Sequence, residues 1–285
     1  MIRRLCIVGV GLIGGSLARA LRAAGVVEEI VGTSRNAAHL QRAEELGVID
    51  RFDTDIAAAA QGADLVFVSV PLGAMRAVFE ALKGRLAEDA VLTDAGSAKA
   101  SVVEDARAVF GEVPACFVPG HPIAGTEQSG VDASFAELYR NRRVILTPLD
   151  NTDAQALARV RALWESAGAV VTEMAVEHHD EVLAATSHLP HALAFTLVES
   201  LARMSDQREI FEYAAGGFRD FTRIASSDPV MWRDICLANR NALLAMIAHF
   251  TGDLAQLAEL INEGDGERLL EFFETAKRAR DAFAG

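Results

Sequence analysis

A histidine stands between a glycine and a proline in GHPIAGTEQSG, residues 120–130, a stretch with neither helical nor strand periodicity. An imidazole, with an ordinary pKa of about 6.5, is the side chain best suited to take or give a proton near neutral pH. A loop histidine can equally be a solvated turn residue, so His121 gains a role only from what surrounds it. Further along, His188 and His191 fall three apart in SHLPHALA, which puts both on one helix face; a hydrogen-bonded core pair and a pair facing a ligand fit equally well. Asp220 and Arg223 share the same spacing in GFRDFTRIASSDPVMWRDI. As a surface ion pair they would contribute only ~0–1 kcal/mol. His178 and His179, beside Glu177 and Asp180, read as ordinary surface residues.

A second kind of chemistry sits at the start of the chain. RRLCIVGVGLIGGSLARALRAAG predicts a buried strand over Leu5 to Val8, a glycine turn, and an amphipathic helix ending at Gly25. Gly9, Gly11 and Gly14 fit G-x-G-x-x-G, in which the first allows the tight turn, the second lets the backbone approach a pyrophosphate, and the third lets helix pack on strand. The amides at Gly11, Leu12, Ile13 and Gly14 then face the phosphates of a dinucleotide. A second strand, Glu29 to Gly32, ends in GTSRN, where an NAD-binding chain usually has an acid for the ribose 2′-hydroxyl. Ser34 and Arg35 suit a 2′-phosphate instead, since guanidinium offers forked donors and no carboxylate repels the charge. NADP is therefore the expected cofactor, with NAD as the alternative.

Strand and helix signals continue in turn. ADLVFVSVP, AVLTDAGSAK, RRVILTP and GAVVTEM read as strands, with helices over Gly73 to Leu86 and Asp153 to Ala167. The alternation predicts a mainly parallel α/β sheet covered on both faces. Ligands in such sheets collect at the carboxyl ends of the strands, which places Val70, Pro71, Ser97 and Lys99 on one rim with the His121 loop. After about Met174 only helical signals remain, with Pro190 marking a kink or break and Asp228-Pro229 a helix start. The expected division is a Rossmann-type dinucleotide-binding domain over 1–173 and an all-helical domain over 174–285. Two long helices, Arg240 to Ile261 and Glu267 to Phe283, close the chain. Their apolar stripe (Leu243, Leu244, Ile247, Phe250, Leu254, Leu257, Ile261) exceeds what a small helical domain buries alone, and a homodimer through these helices would cover it.

Composition narrows the partners. The 285 residues carry 27 Lys and Arg against 40 Asp and Glu, a formal net charge of −13, which argues against a nucleic-acid binder relying on clustered cations. An anionic substrate must be held by a few local cations working against the overall field. Cys6, Cys116 and Cys236 fit neither a metal-ligand spacing nor a disulfide framework and suggest a reducing cytoplasm. The first twenty residues mimic a signal peptide, but cleavage at Ala18-Arg19-Ala20 would destroy the glycine motif. No apolar run of about 18 residues suggests a membrane span.

GVGLIGGSLA, DAGSAK, GHPIAGTEQSG, SHLPHALA and GFRDFTRIASSDPVMWRDI occur in this order, and with them nearly the whole chain resembles the prephenate/arogenate dehydrogenases of tyrosine biosynthesis. The resemblance implies a dinucleotide-binding domain followed by a helical dimerisation domain. It implies oxidative decarboxylation of a cyclohexadiene bearing a 4-hydroxyl and a ring carboxylate, with His121 as the catalytic base and Ser97 orienting both it and the substrate hydroxyl. Arg223 is implied to hold a substrate carboxylate, with Asp220 steering it, and His188 and His191 to stand beside the substrate. Thr126 and Glu127 fall in the loop tied in that family to gating and tyrosine inhibition. Lys99 and Trp232 also match family positions, with structural roles equally open. A fused mutase or regulatory extension is not expected. A different two-domain NADP-linked reductase, or a non-catalytic nucleotide sensor, would be expected to lack the G-H-P loop together with Ser97 and Arg223.

Overall fold

The computed structural model describes residues 1–205 and 207–284. The chain forms two compact units, residues 1–240 and 241–285. The first contains β1 (Ile2–Val8), α1 (Leu12–Ala23), β2 (Val27–Thr33), α2 (Ala37–Glu45), β3 (Arg51–Asp53), α3 (Ile56–Ala60), β4 (Leu65–Val68), α4 (Met75–Leu82), β5 (Val91–Asp94), α5 (Ala100–Phe110), β6 (Phe117–Val118), β7 (Gly120–Pro122), β8 (Arg143–Leu146), α6 (Ala154–Ser166) and β9 (Val170–Glu173). After Glu173 the described residues form helices and no strand: α7 (Val176–Leu183), α8 (Leu189–Ala202), α9 (Gln207–Glu212), α10 (Gly216–Thr222) and α11 (Pro229–Ala238).

Six strands form a parallel sheet in the order β3-β2-β1-β4-β5-β6. Both faces are dry, because alternate side chains of one strand enter different cores. Leu5, Ile7, Leu65 and Phe67 join Leu17, Leu21, Tyr139 and Trp164 on one side. Cys6, Val8, Val66 and Val68 join Met75, Phe79, Val102 and Phe117 on the other. Phe67 and Tyr139 each meet the Trp164 ring edge-on, at centroid distances of 5.6 and 5.0 Å.

The structure corrects the single-sheet expectation. β8 and β9 leave the main sheet and, with β7, make a separate three-stranded sheet in which β7 runs antiparallel to β8. The start of the His121 stretch is this edge strand, paired His121 to Ile145. Three residues are too few for a period to show, and proline is tolerated there because an edge strand can spare its N–H. β3 and β6 were hidden for the same reason of length.

Near Pro190 the helix does not break. Ala184–His188 forms a π-turn that joins α7 to α8, with Pro190 in the first turn of α8. The second unit consists of α12 (Arg240–Glu263) from Asn241 onward and α13 (Gly266–Ala284). Leu244, Ile247, Leu254 and Ile261 of α12 and Leu270, Phe273 and Phe283 of α13 are exposed. No described helix is long and apolar enough to cross a membrane.

Candidate active site

The glycine turn after β1 has the shape a dinucleotide requires. Gly9 has φ +95°, and a Cβ there would stand 2.4 Å from the Ser69 carbonyl oxygen. A Cβ at Gly14 would meet the Gly9 carbonyl at 2.4 Å, whereas one at Gly11 would meet nothing within 4 Å. The turn is thus closed where it packs and open where a ligand backbone would pass. Gly11 caps α1 without a side-chain hydrogen bond, so the first amides of the helix, at Leu12 and Ile13, are free to donate to an anion. These residues fit a nicotinamide dinucleotide. Val70 and Pro71 follow β4 beside the turn, and a Cβ on Gly9 would come within 3.1 Å of Val70. At the end of β2, Ser34 bonds to the backbone of Asn36 and Arg35 is exposed. The nearest carboxylate by register, Asp53, is turned to the Asp55 N–H at 2.8 Å.

His121 is 8% exposed, its Nδ1 lying 2.9 Å from His179 Nε2. His179 Nδ1 in turn lies 2.8 Å from Asp180 Oδ1. Here the structure corrects the sequence reading of His179 and Asp180 as surface residues: they are 0% and 5% exposed. His178 alone of the three points outward. The signal was present in the spacing, since Val176, His179, Asp180 and Leu183 form the i, i+3, i+4, i+7 stripe that α7 buries.

Two backbone donors reinforce the Asp180 carboxylate, Lys99 N to Oδ1 at 2.8 Å and Ala100 N to Oδ2 at 2.9 Å. Burial alone would raise the Asp180 pKa, but the His179 hydrogen bond and these two amides outweigh it and hold the group below the usual carboxylate value. The His121 pKa is driven well below 6.5, first by burial and then by His179, Lys99 and His188.

The backbone before His121 is clamped from β5. Lys99 Nζ lies 2.5 Å from Asp94 Oδ2 and donates to the Gly120 carbonyl at 2.7 Å, while Asp94 Oδ1 accepts from Gly120 N at 3.1 Å. Lys99 therefore takes a structural place.

His188 sits at the end of the π-turn, a distortion common at functional positions, and is 1% exposed. Its Nδ1 lies 3.0 Å from Asn239 Nδ2, which also donates to the Asp180 carbonyl at 2.7 Å. Its Nε2 is buried without a partner among the described residues. Burial, aided by His179 and His191 and opposed by Asp180 and the Ser97 carbonyl, brings the His188 pKa down to about 4. His191, half-buried, directs Nδ1 to the Ser187 carbonyl at 2.8 Å and stacks on Trp232, with ring centroids 3.7 Å apart. Asn239 was missed from the sequence; a lone asparagine after a helix reads as a cap, and nothing in its spacing marks it out.

Arg223 pairs with Glu127 rather than with Asp220. A short 310 turn starts at Arg223, so the helical register that would align it with Asp220 ends there. Both partners are largely exposed, as is Thr126, whose hydroxyl accepts from Gln128 N at 3.2 Å. Ser97 is half-buried beyond β5, and its side chain makes no hydrogen bond to His121 among the described residues.

A dinucleotide cradle at the strand ends of a parallel sheet, followed in the chain by helices that bury titratable residues, is the architecture of an oxidoreductase of the nicotinamide-dependent kind. Comparison with known proteins makes the class specific. Residues 17–173 match the family described as "Prephenate dehydrogenase, nucleotide-binding domain", and residues 175–275 match "Prephenate dehydrogenase, dimerization domain". A cyclohexadienyl dehydrogenase from Zymomonas mobilis is 41% identical over 98% of this chain and 95% of its own length. A prephenate dehydrogenase from Bacillus subtilis is 36% identical over 97% of this chain and 75% of its own. The crystal structure of prephenate dehydrogenase from A. aeolicus in complex with hydroxyphenyl propionate and NAD+ superposes with a TM-score of 0.93, at 42% identity and covering 99% of both chains. The chain belongs to the prephenate dehydrogenase family, as its motifs led one to expect.

Proposed function

We propose that this protein oxidatively decarboxylates prephenate, arogenate or both, with His121 as the base. When bound, the nicotinamide supplies the acceptor for the hydride that leaves C4. His121 Nε2 takes the C4 hydroxyl proton as that carbon becomes carbonyl-like. The ring becomes aromatic as carbon dioxide leaves C1, and its phenolic oxygen regains a proton. Arg223 holds a substrate carboxylate, exchanging Glu127 for it; Thr126 and Glu127 border the entrance, and His188, His191 and Ser97 orient substrate and base.

The observation that carries this reading is the state of His121, buried, with Nδ1 engaged by His179 and with no hydrogen-bond partner at Nε2 among the described residues. An imidazole held below its usual pKa is neutral, and so ready to accept a proton, across the physiological range. The test is NAD(P)H formation at 340 nm with each substrate crossed with each cofactor. His121→Asn should lower kcat by ~10² or more and leave KM little changed. A near-normal kcat in that variant removes His121 from the reaction.

NADP is the preferred cofactor in this reading, supported by Ser34 and Arg35 and by the absence of an acid at the end of β2. Residues 1–173 bind it and residues 174–285 complete the substrate site and the subunit interface. The exposed apolar residues of α12 and α13 support a homodimer through those helices. The protein works in a reducing cytoplasm, and tyrosine competes for the substrate site.

A further inference from the structure

We propose that His179 and Asp180 are positioning residues that set the tautomer of His121, His179 Nε2 accepting the His121 Nδ1 proton and so leaving a lone pair on His121 Nε2. The inference rests on His121 being the base and says how the protein makes it one.

The donors around Asp180 fix the hydrogen positions along the chain. Lys99 N and Ala100 N can only donate, and between them they engage both Asp180 oxygens. They also open α5, whose positive end favours a negative charge in this place. Asp180 is therefore a carboxylate, able only to accept, and the nitrogen facing it, His179 Nδ1, must carry the hydrogen. Burial keeps His179 neutral, so its Nε2 holds a lone pair. The His121 nitrogen 2.9 Å away must then donate to it. A neutral His121 with its hydrogen on Nδ1 has an open Nε2, the form that can receive the hydroxyl proton. The opposite tautomer would present an N–H to the substrate and could not act as a base.

The chain of bonds is also rigid. Asp180 is held through its carbonyl by Asn239 at the end of α11 and through its carboxylate by the start of α5. His121 is held through Gly120 by Lys99 and Asp94. When His121 takes a proton, the imidazolium that forms is stabilised by the lone pair of His179, itself oriented by the Asp180 carboxylate, much as the aspartate of hydrolase triads stabilises its histidine but with a second imidazole interposed.

Ring-nitrogen NMR of the histidine-labelled protein above pH 7, combined with kinetics of four variants, tests this. In the wild-type enzyme His121 should show a protonated Nδ1 and an unprotonated Nε2. His179→Leu should mix or reverse that assignment and lower kcat by ~10² or more, with KM for substrate and cofactor within about twofold. His179→Gln, whose amide oxygen can replace Nε2 as acceptor, should recover about tenfold or more of the loss. Asp180→Ala should lower kcat in the same sense as His179→Leu. His121→Asn is the parallel control. If it abolishes turnover while His179→Leu keeps the wild-type kcat, the positioning role is overturned and the base stands. If His121→Asn turns over normally, the base assignment fails and this inference falls with it. Should His179→Leu not fold, a wild-type spectrum with the His121 hydrogen on Nε2 would still refute the proposal.

Discussion

The Lys99 ammonium lies 2.5 Å from the Asp94 carboxylate, and neither side chain has any contact with solvent. Burying such a pair is costly to begin with, so its presence does not argue for stability; removing one member is another matter, because it strands a charge in a dry wall. Lys99→Met should therefore destabilise the fold by about 3–5 kcal/mol, read as a lower urea midpoint with an unchanged slope. The double variant Lys99→Met with Asp94→Leu should recover part of that loss. Because Gly120 loses its clamp in both, kcat should remain depressed in the double variant even where stability returns. Full recovery of kcat would show that the clamp does not position His121.

Arg223 presents the opposite case, an ion pair at the surface. Its bridge to Glu127 leaves the Arg223 side chain 62% exposed, so breaking it should change stability by less than about 1 kcal/mol. Its expected value lies in binding, where a charge-assisted hydrogen bond contributes ~1.5–3 kcal/mol. Arg223→Ala should raise KM for the substrate about 10- to 100-fold with kcat within a few-fold, measured by steady-state kinetics. A fall in kcat at constant KM would instead place Arg223 on the transition state alone.

The proposed preference for NADP rests on an exposed side chain. Arg35 is exposed beyond the end of β2 and has no ion-pair partner among the described residues, and Asp53 is occupied by the Asp55 amide. Arg35→Ala should reduce kcat/KM for NADP about tenfold or more while leaving that for NAD within a few-fold. Equal losses with both cofactors would mean that Arg35 stacks on the adenine and does not read the 2′-phosphate.

Much of this was legible in the sequence, for identifiable reasons. The glycine turn, the strands of the main sheet and the long terminal helices announce themselves by period and punctuation, and the motifs point to the family. His121 could be singled out, but its surroundings could not. Its wall is built from Asp94 on β5, Lys99 just before α5, His179 and Asp180 on α7, and Asn239 at the end of α11, residues up to 145 positions apart that only the fold brings together. His179 and Asp180 were misread because the sequence HHDE looks like a solvated helix face. Polar residues on a buried stripe become readable only when their hydrogen-bond partners are known. Arg223 meets Glu127 and not Asp220 because the helix gives way to a 310 turn at Arg223, where i, i+3 spacing no longer aligns the two side chains.

The buried histidines also set how stability depends on pH. His121, His179, His188 and His191 all have pKa values lowered in the folded state, with burial as the largest cause in each. In the unfolded chain they titrate near 6.5, so below that pH the unfolded state binds more protons than the folded one. Stability must then be fully present above about pH 6.5 and be lost as pH falls, a loss that for His188 runs down to its folded value of about 4. His188 by itself accounts for a loss on the order of 3 kcal/mol across that window. His188→Asn should shrink the pH dependence of the urea midpoint between pH 6.5 and 4 by about one proton's worth. With His121 as the proposed base, turnover should behave differently from stability, because this imidazole stays neutral in the folded protein: kcat should hold its plateau at pH 6.5 and decline only at lower pH, while the protein is still folded. An acidic limb of kcat centred at or above pH 6.5 would mean that the imidazole in use is not shielded as this structure has it.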